Sequence, residues 1–253
     1  MKLLFYFSTI LLCCCWDNAE AQPKKNAAFG YVQIVFNNLI NNRSVVLYDS
    51  SYSNPFGETY MINKLKYYIS NIAVYTDGKA TKEKNSYHLI NQNIERSCSF
   101  TISLTEHNYD SIQFLLGVDS TKNTSGAQTG ALDPLNDMFW TWRTGYIMQK
   151  LEGTSPQSKV VNNKMEYHIG GFSGDNSVLN YITLHFPANK ILQVKKGKTS
   201  IIIINVEIDK FWNADIDIKI SDTPVCSSPG LLAKQIAGNF CKLFTLADVI
   251  NNN

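Results

Sequence analysis

His168 stands in the run Tyr167-His168-Ile169-Gly170-Gly171, and upstream of it Met138, Phe139, Trp140, Trp142 and Tyr146 crowd into one short stretch. An imidazole, a thioether and electron-rich rings form a soft, partly apolar setting of the kind that suits copper. The paired glycines allow close backbone approach beside the imidazole. His168, Met138, Trp140 and Trp142 are therefore the candidate metal-site residues. The ordinary alternative is that each is a core residue, and spacing alone does not bring them together.

Other chemistry has weaker footing. No Gly-x-Ser-x-Gly turn is present, and His88, His107 and His185 are scattered without a motif, so a nucleophilic triad has no frame. Glu207/Asp209 and Asp215/Asp217 would each set two carboxylates on one strand face, as a hydrolase pair or a calcium ion needs, but such pairs usually face solvent. The segment from Asp119 to Gly126 resembles a calcium loop whose glycine comes too late, and reads as a turn-rich loop. The aromatic stretch offers a different use, as a metal-free surface on which Trp140, Trp142 and Tyr146 stack against a glycan or a partner chain.

Strands must position these residues. Short runs of β-branched and aromatic residues recur between Asn, Gly, Asp and Ser, which predicts about ten strands. Tyr31 to Phe36 alternates, with Val32, Ile34 and Phe36 on one face. Leu65 to Tyr75 shifts phase near Ser70-Asn71, as a bulge would make it do. Further strands are expected near Tyr87–Ile90, Ser99–Leu104, Ser111–Leu116, Met165–Ile169, Val178–Phe186, Ile191–Val194, Thr199–Ile208 and Ile216–Ile220. The run from Trp142 to Leu151 fits strand or helix equally. One helix is expected after a Ser227-Ser228-Pro229 cap, with Leu232, Ile236, Phe240 and Phe244 on its buried stripe, and the tail Asn251 to Asn253 is expected to fray. The fold class is all-β, an antiparallel β-sandwich with a C-terminal helix, as one domain over residues 22–253.

The chain has 253 residues, 44% of them hydrophobic and 17% charged, with a formal net charge of +2, a balance that excludes disorder and offers no basic surface for nucleic acid. Lys2, the apolar run Leu3 to Cys15 and the small-x-small site Ala19-Glu20-Ala21 predict a signal peptide over residues 1–21, and hence a soluble protein of the periplasm or cell surface. A lipid anchor on Cys13, Cys14 or Cys15 is the rival, although Leu12 is bulky for a lipobox. No later stretch approaches the ~20 apolar residues of a membrane helix. Cys98, Cys226 and Cys241 remain after cleavage, so at most one internal disulfide can form.

The segment from Gly117 to Gly153, ending in Met138-Phe139-Trp140-Thr141-Trp142-Arg143-Thr144-Gly145-Tyr146, together with His168-Ile169-Gly170-Gly171, resembles the exported MbnP-like family of copper-binding proteins. Lys64 to Lys79 and Ser228 to Phe240 carry the same resemblance, which thus covers nearly the whole mature chain. It implies a copper-binding β-sandwich without enzymatic activity, with His168 as copper ligand. It also implies a MauG-like di-haem peroxidase as partner, oxidising Trp140 or Trp142 to kynurenine. Two departures stand out. Many relatives end in a His-x-His tail where this chain has Asp248-Val249-Ile250, and Asp137 stands where relatives commonly have glycine.

Overall fold

A computed structural model describes residues 28–48, 51–141 and 143–252. The expected leader, its three cysteines, Trp142 and Asn253 lie outside the described residues.

Strands β1 (Phe29–Ile40), β2 (Arg43–Ser44) and β3 (Ser51–Ser53) lead into the long β4 (Thr59–Thr76). Next come β5 (Lys79–Lys82), β6 (Tyr87–Asn91), β7 (Ser99–Thr105), β8 (His107–Tyr109) and β9 (Ser111–Leu116). A short helix α1 (Ser120–Asn123) precedes β10 (Phe139–Thr141), β11 (Gly145–Thr154), β12 (Lys164–Gly170) and β13 (Asn180–His185). The chain then forms β14 (Leu192–Val194), β15 (Thr199–Glu207), β16 (Val225–Cys226), helix α2 (Leu231–Cys241) and β17 (Phe244–Ile250).

The smaller sheet runs β17-β15-β1-β2, with β7 also on β1. The larger runs β13-β9-β4-β11-β12-β16, and β10 hangs on β11 while β3, β5 and β6 pair with β4. The sheets meet through alternating residues. Val32, Ile34 and Phe36 of β1 are buried, and the Phe36 ring stands 6.2 Å from that of Tyr67 and 6.0 Å from that of Phe114. This is the β-sandwich that the strand pattern implies.

Several particulars differ from the sequence expectation. The sheets are not wholly antiparallel, because β1 pairs in parallel with β15 and β12 with β16. Both partners are far apart in sequence, which leaves the chain length that a parallel return requires. Residues Ile216–Ile220 form no strand. Their neighbourhood is held by side chains instead: Asn239 Oδ1 accepts from the amides of Asp215 and Ile216, and the Glu58 carboxylate from those of Ile220 and Ser221. Helix α2 begins after Gly230 with no side-chain cap, and Phe244 belongs to β17, a strand that the helical spacing concealed. The tail is tied down as far as it is described, with Asn251 bonded to Gln193 and Ile191 and Asn252 to Thr199. Cys98, Cys226 and Cys241 are all free. The expected bulge in β4 is present, where Asn71 takes a φ of 52° and the register to β9 shifts between Ser70 and Ala73. No helix among the described residues is long and apolar enough to cross a membrane.

Candidate metal centre

Strand alternation builds the site. On β12, Met165, Tyr167 and Ile169 are buried toward the core, so Glu166, His168 and Gly170 share the opposite face. The register sets Lys150 of β11 beside His168 and Glu152 beside Glu166, and on the next strand Lys66 flanks Lys150 and Lys64 flanks Glu152. Two rows of three polar side chains thus cross strands β12, β11 and β4.

Over these rows lies the turn at Pro134–Asn136, capped by Asp133, whose carboxylate accepts from the Leu135 amide. Asp137 closes the turn in the left-handed region at a φ of 61°, a conformation that suits glycine and that aspartate tolerates. The Asp137 carboxylate stands 3.0 Å from both the Lys64 and the Lys150 ammonium groups and 3.8 Å from that of Lys66. Lys66 Nζ also donates to the Asn136 carbonyl at 2.9 Å, and Lys150 Nζ to the Asp137 carbonyl. Burial pushes the Asp137 carboxyl up, but the hydrogen bonds and charges of Lys150 and Lys64 outweigh it and hold the group at about 2. Lys150 is only 1% exposed, and these partners satisfy its buried amine.

Beside this lattice His168 Nε2 lies 2.8 Å from Glu152 Oε1 and 3.8 Å from Glu166 Oε2. Burial raises the Glu152 carboxyl, yet hydrogen bonds from His168 and Lys64 bring it down to about 2. An ionised carboxylate has no proton to give, so Nε2–H is the donor. Lys64 completes Glu152 at 3.1 Å and Lys164 completes Glu166 at 2.6 Å. Ligand atoms of Glu152, Glu166 and His168 all lie within 4.8 Å of one another.

Trp140 reaches the same face by a local irregularity. Phe139 pairs with Tyr146 and Thr141 with Gly145, so the register slips at Trp140, and such a bulge re-aims a side chain. Its indole rests on Gly170, two residues along β12 from His168: a Cβ built there would stand 2.5 Å from ring carbon Cζ3. The hairpin is fixed at its other end by Asn123, whose Oδ1 accepts from the Tyr146 amide at 2.9 Å and would meet a Cβ on Gly145 at 2.3 Å.

His168 and Trp140 therefore occupy one sheet face. Met138 is fully enclosed in the hydrophobic core, its carbonyl accepting from the Ile147 amide, and it joins no polar group of this face. Tyr146 is buried, its hydroxyl donating to the Leu132 carbonyl, which removes it from any stacking surface. The other histidines serve elsewhere. His88 stacks on Phe100 at 3.6 Å and bonds Glu83, His107 sits edge-on to Tyr109, and His185 is exposed. Glu207 is paired with Lys210, and Asp209 accepts from the Asn41 amide. Asp119 caps α1 and binds the Tyr87 hydroxyl, a structural loop rather than a calcium cradle.

Glu152, Glu166, Lys64 and Lys150 escaped the sequence reading. The available signal was Lys150-x-Glu152 and Glu166-x-His168 inside apolar runs, a period-two placement of charge on one face.

The donor set fits copper in part. An imidazole suits it, whereas two carboxylates are harder oxygen ligands and the soft thioether is elsewhere. Asn63 Oδ1 is buried without a hydrogen-bond partner, and Asn63 lines a groove of about 240 Å³ together with Glu152, Lys164, Met165 and Glu166.

A family model described as MbnP matches residues 29–228. Among solved structures, MbnP from Methylosinus trichosporium shares the fold with a TM-score of 0.52, covering 81% of this chain and 87% of its own at 12% identity. No curated protein sequence matches the chain. Matched over well more than half of its length, and carrying the same fold, the chain belongs to the MbnP family.

Proposed function

We propose that this chain is an exported, non-catalytic copper-binding protein in which His168 supplies an imidazole ligand. Trp140 or Trp142 is then the residue that a MauG-like di-haem peroxidase oxidises. The observation that carries this reading is the Trp140 indole resting on Gly170, on the sheet face that bears His168. Opening an indole consumes two equivalents of hydrogen peroxide. The double bond of the five-membered ring is cleaved, each of its carbons takes one oxygen, and two waters leave. Hydrolysis then releases formate and frees an aromatic amine, a nitrogen donor on the same face as the imidazole. Family membership supports export, as do Lys2 and the apolar leader sequence.

Copper titration of the untagged mature protein should lose one site in His168→Ala, and identical stoichiometry would remove the assignment. Peptide mass spectrometry after co-expression with the peroxidase should find the modification at Trp140 or Trp142, and unmodified tryptophans would remove the oxidation branch. A metal-free stacking surface has less support, because Tyr146 is buried and Trp140 is half-buried with its indole against Gly170.

A further inference from the structure

We infer that Glu152 and Glu166 complete the His168 site, giving one nitrogen and two carboxylate oxygens that select a divalent ion of intermediate hardness, Cu(II) or Zn(II), over Cu(I). The inference rests on His168 being a ligand and says which ion and which partners that ligand takes. Three potential donor atoms already lie within 4.8 Å of one another, on adjacent strands whose register is fixed by the ladder. The side chains are mostly sheltered, with 20% of Glu152, 15% of Glu166 and 14% of His168 exposed. Little reorganisation separates this arrangement from a coordination shell.

Two of the three ammonium groups that now neutralise the two carboxylates can leave, while the third, Lys150, stays 3.6 Å from Glu152 Oε1. Lys64 and Lys164 reach in from solvent with side chains 36% and 48% exposed, so each ammonium can swing outward when a cation arrives. Lys150 is enclosed and remains between Asp137 and Glu152, so Glu152 is the more encumbered of the two carboxylates and Glu166 the freer. The exchange therefore replaces two ammonium groups by one dication, and the neutral imidazole of His168 binds through Nε2 with its ring proton on Nδ1. Cu(I) gains less from such a site, since hard oxygen ligands favour the higher charge and the thioethers of Met138 and Met165 are both enclosed in the core.

The test titrates the untagged mature chain with Cu(II) and Zn(II), and separately with Cu(I) buffered by a chromogenic chelator. Parent, His168→Ala, Glu152→Gln, Glu166→Gln and Lys164→Ala proteins are compared, with near-UV circular dichroism reporting the fold of each. Cu(II) should bind in preference to Cu(I), and Glu166→Gln should weaken Cu(II) about tenfold or more, as should Glu152→Gln. Lys164→Ala should tighten binding by up to about fivefold, because an exposed competitor for Glu166 is gone. The Cu(II) electron paramagnetic spectrum should show mixed nitrogen and oxygen coordination that changes in both glutamine variants. If His168→Ala loses the metal while the glutamine variants bind like the parent, the carboxylate assignment is overturned and the copper reading stands. If His168→Ala also binds like the parent, both fall. Lys164→Ala binding no tighter than the parent, or a preference for Cu(I), also overturns it.

Discussion

A single missing methyl group decides where Trp140 sits. A Cβ on Gly170 would lie 2.5 Å from the Trp140 Cζ3 and 2.9 Å from its Cη2, with the Tyr146 carbonyl equally near, so a side chain there must displace the indole. Gly170→Ala is expected to cost ~1–3 kcal/mol through this overpacking and to change the tryptophan near-UV signal. Repeating the substitution in a Trp140→Phe background should abolish the spectral change. An unaltered spectrum in the single variant would show that the indole does not rest on Gly170. The glycine pair beside His168 was legible in the sequence as a place of close approach, and the approaching group is the indole. The carboxylates were not legible in that way. Glu152 and Glu166 meet only because β11 and β12 pair in one particular register, and a slip of β12 by one residue would send Glu166 to the opposite face from Glu152.

Hydrophobic spacing misread the C-terminal elements for a reason that lies in their packing. Phe240 of α2 and Phe244 of β17 both point into the core, their ring centroids 6.2 Å apart, so four-residue spacing continues across the end of the helix. An inward residue every fourth position is compatible with a helix and with a turn into a strand, and the period carries no mark of the change. The segment from Asp215 to Ser221 shows the converse. Its alternating isoleucines look like a strand, yet its backbone amides are taken by Asn239 and Glu58. Glu58 is 6% exposed and accepts from Ile220 at 2.7 Å, Ser221 at 2.9 Å and the Asn54 side chain at 2.7 Å. Burial raises its carboxyl, but these donors prevail and the group lies below its ordinary value of 4.5. A depressed carboxyl stabilises the fold in full above the unfolded-state value, and that contribution fades as pH falls through the folded-state value. Glu58→Gln should therefore cost about 2 kcal/mol at neutral pH, where charge-assisted bonds are lost. In urea melts the gap between parent and variant should narrow as the pH falls below the ordinary carboxyl value of 4.5 and through the lower folded-state value. A gap that is constant with pH would assign the loss to shape rather than to charge.

Across the whole molecule, the smaller sheet depends on the last strand more than its position in the chain suggests. β15 lies between β1 and β17, and its run Ile201-Ile202-Ile203-Ile204 is paired on one side by residues 246–250 of β17. Without β17 that run becomes a free sheet edge rich in β-branched residues, the type of edge that recruits other chains. The same strand brings Phe244 into contact with Phe36, Tyr67, Phe114 and Phe240, joining both sheets and the helix. Removing a core phenylalanine costs ~3–5 kcal/mol by itself, a large share of the 5–15 kcal/mol by which a domain is folded. A chain ending at Leu243 is thus expected to aggregate on expression, while Phe244→Ala in the full chain should remain folded with a lower melting temperature. Size-exclusion chromatography and thermal melts distinguish the two effects, since the point variant keeps the edge covered. A monomeric truncated protein with the parent's circular dichroism would mean that β17 merely decorates the sandwich and that β1 and β15 hold the smaller sheet unaided.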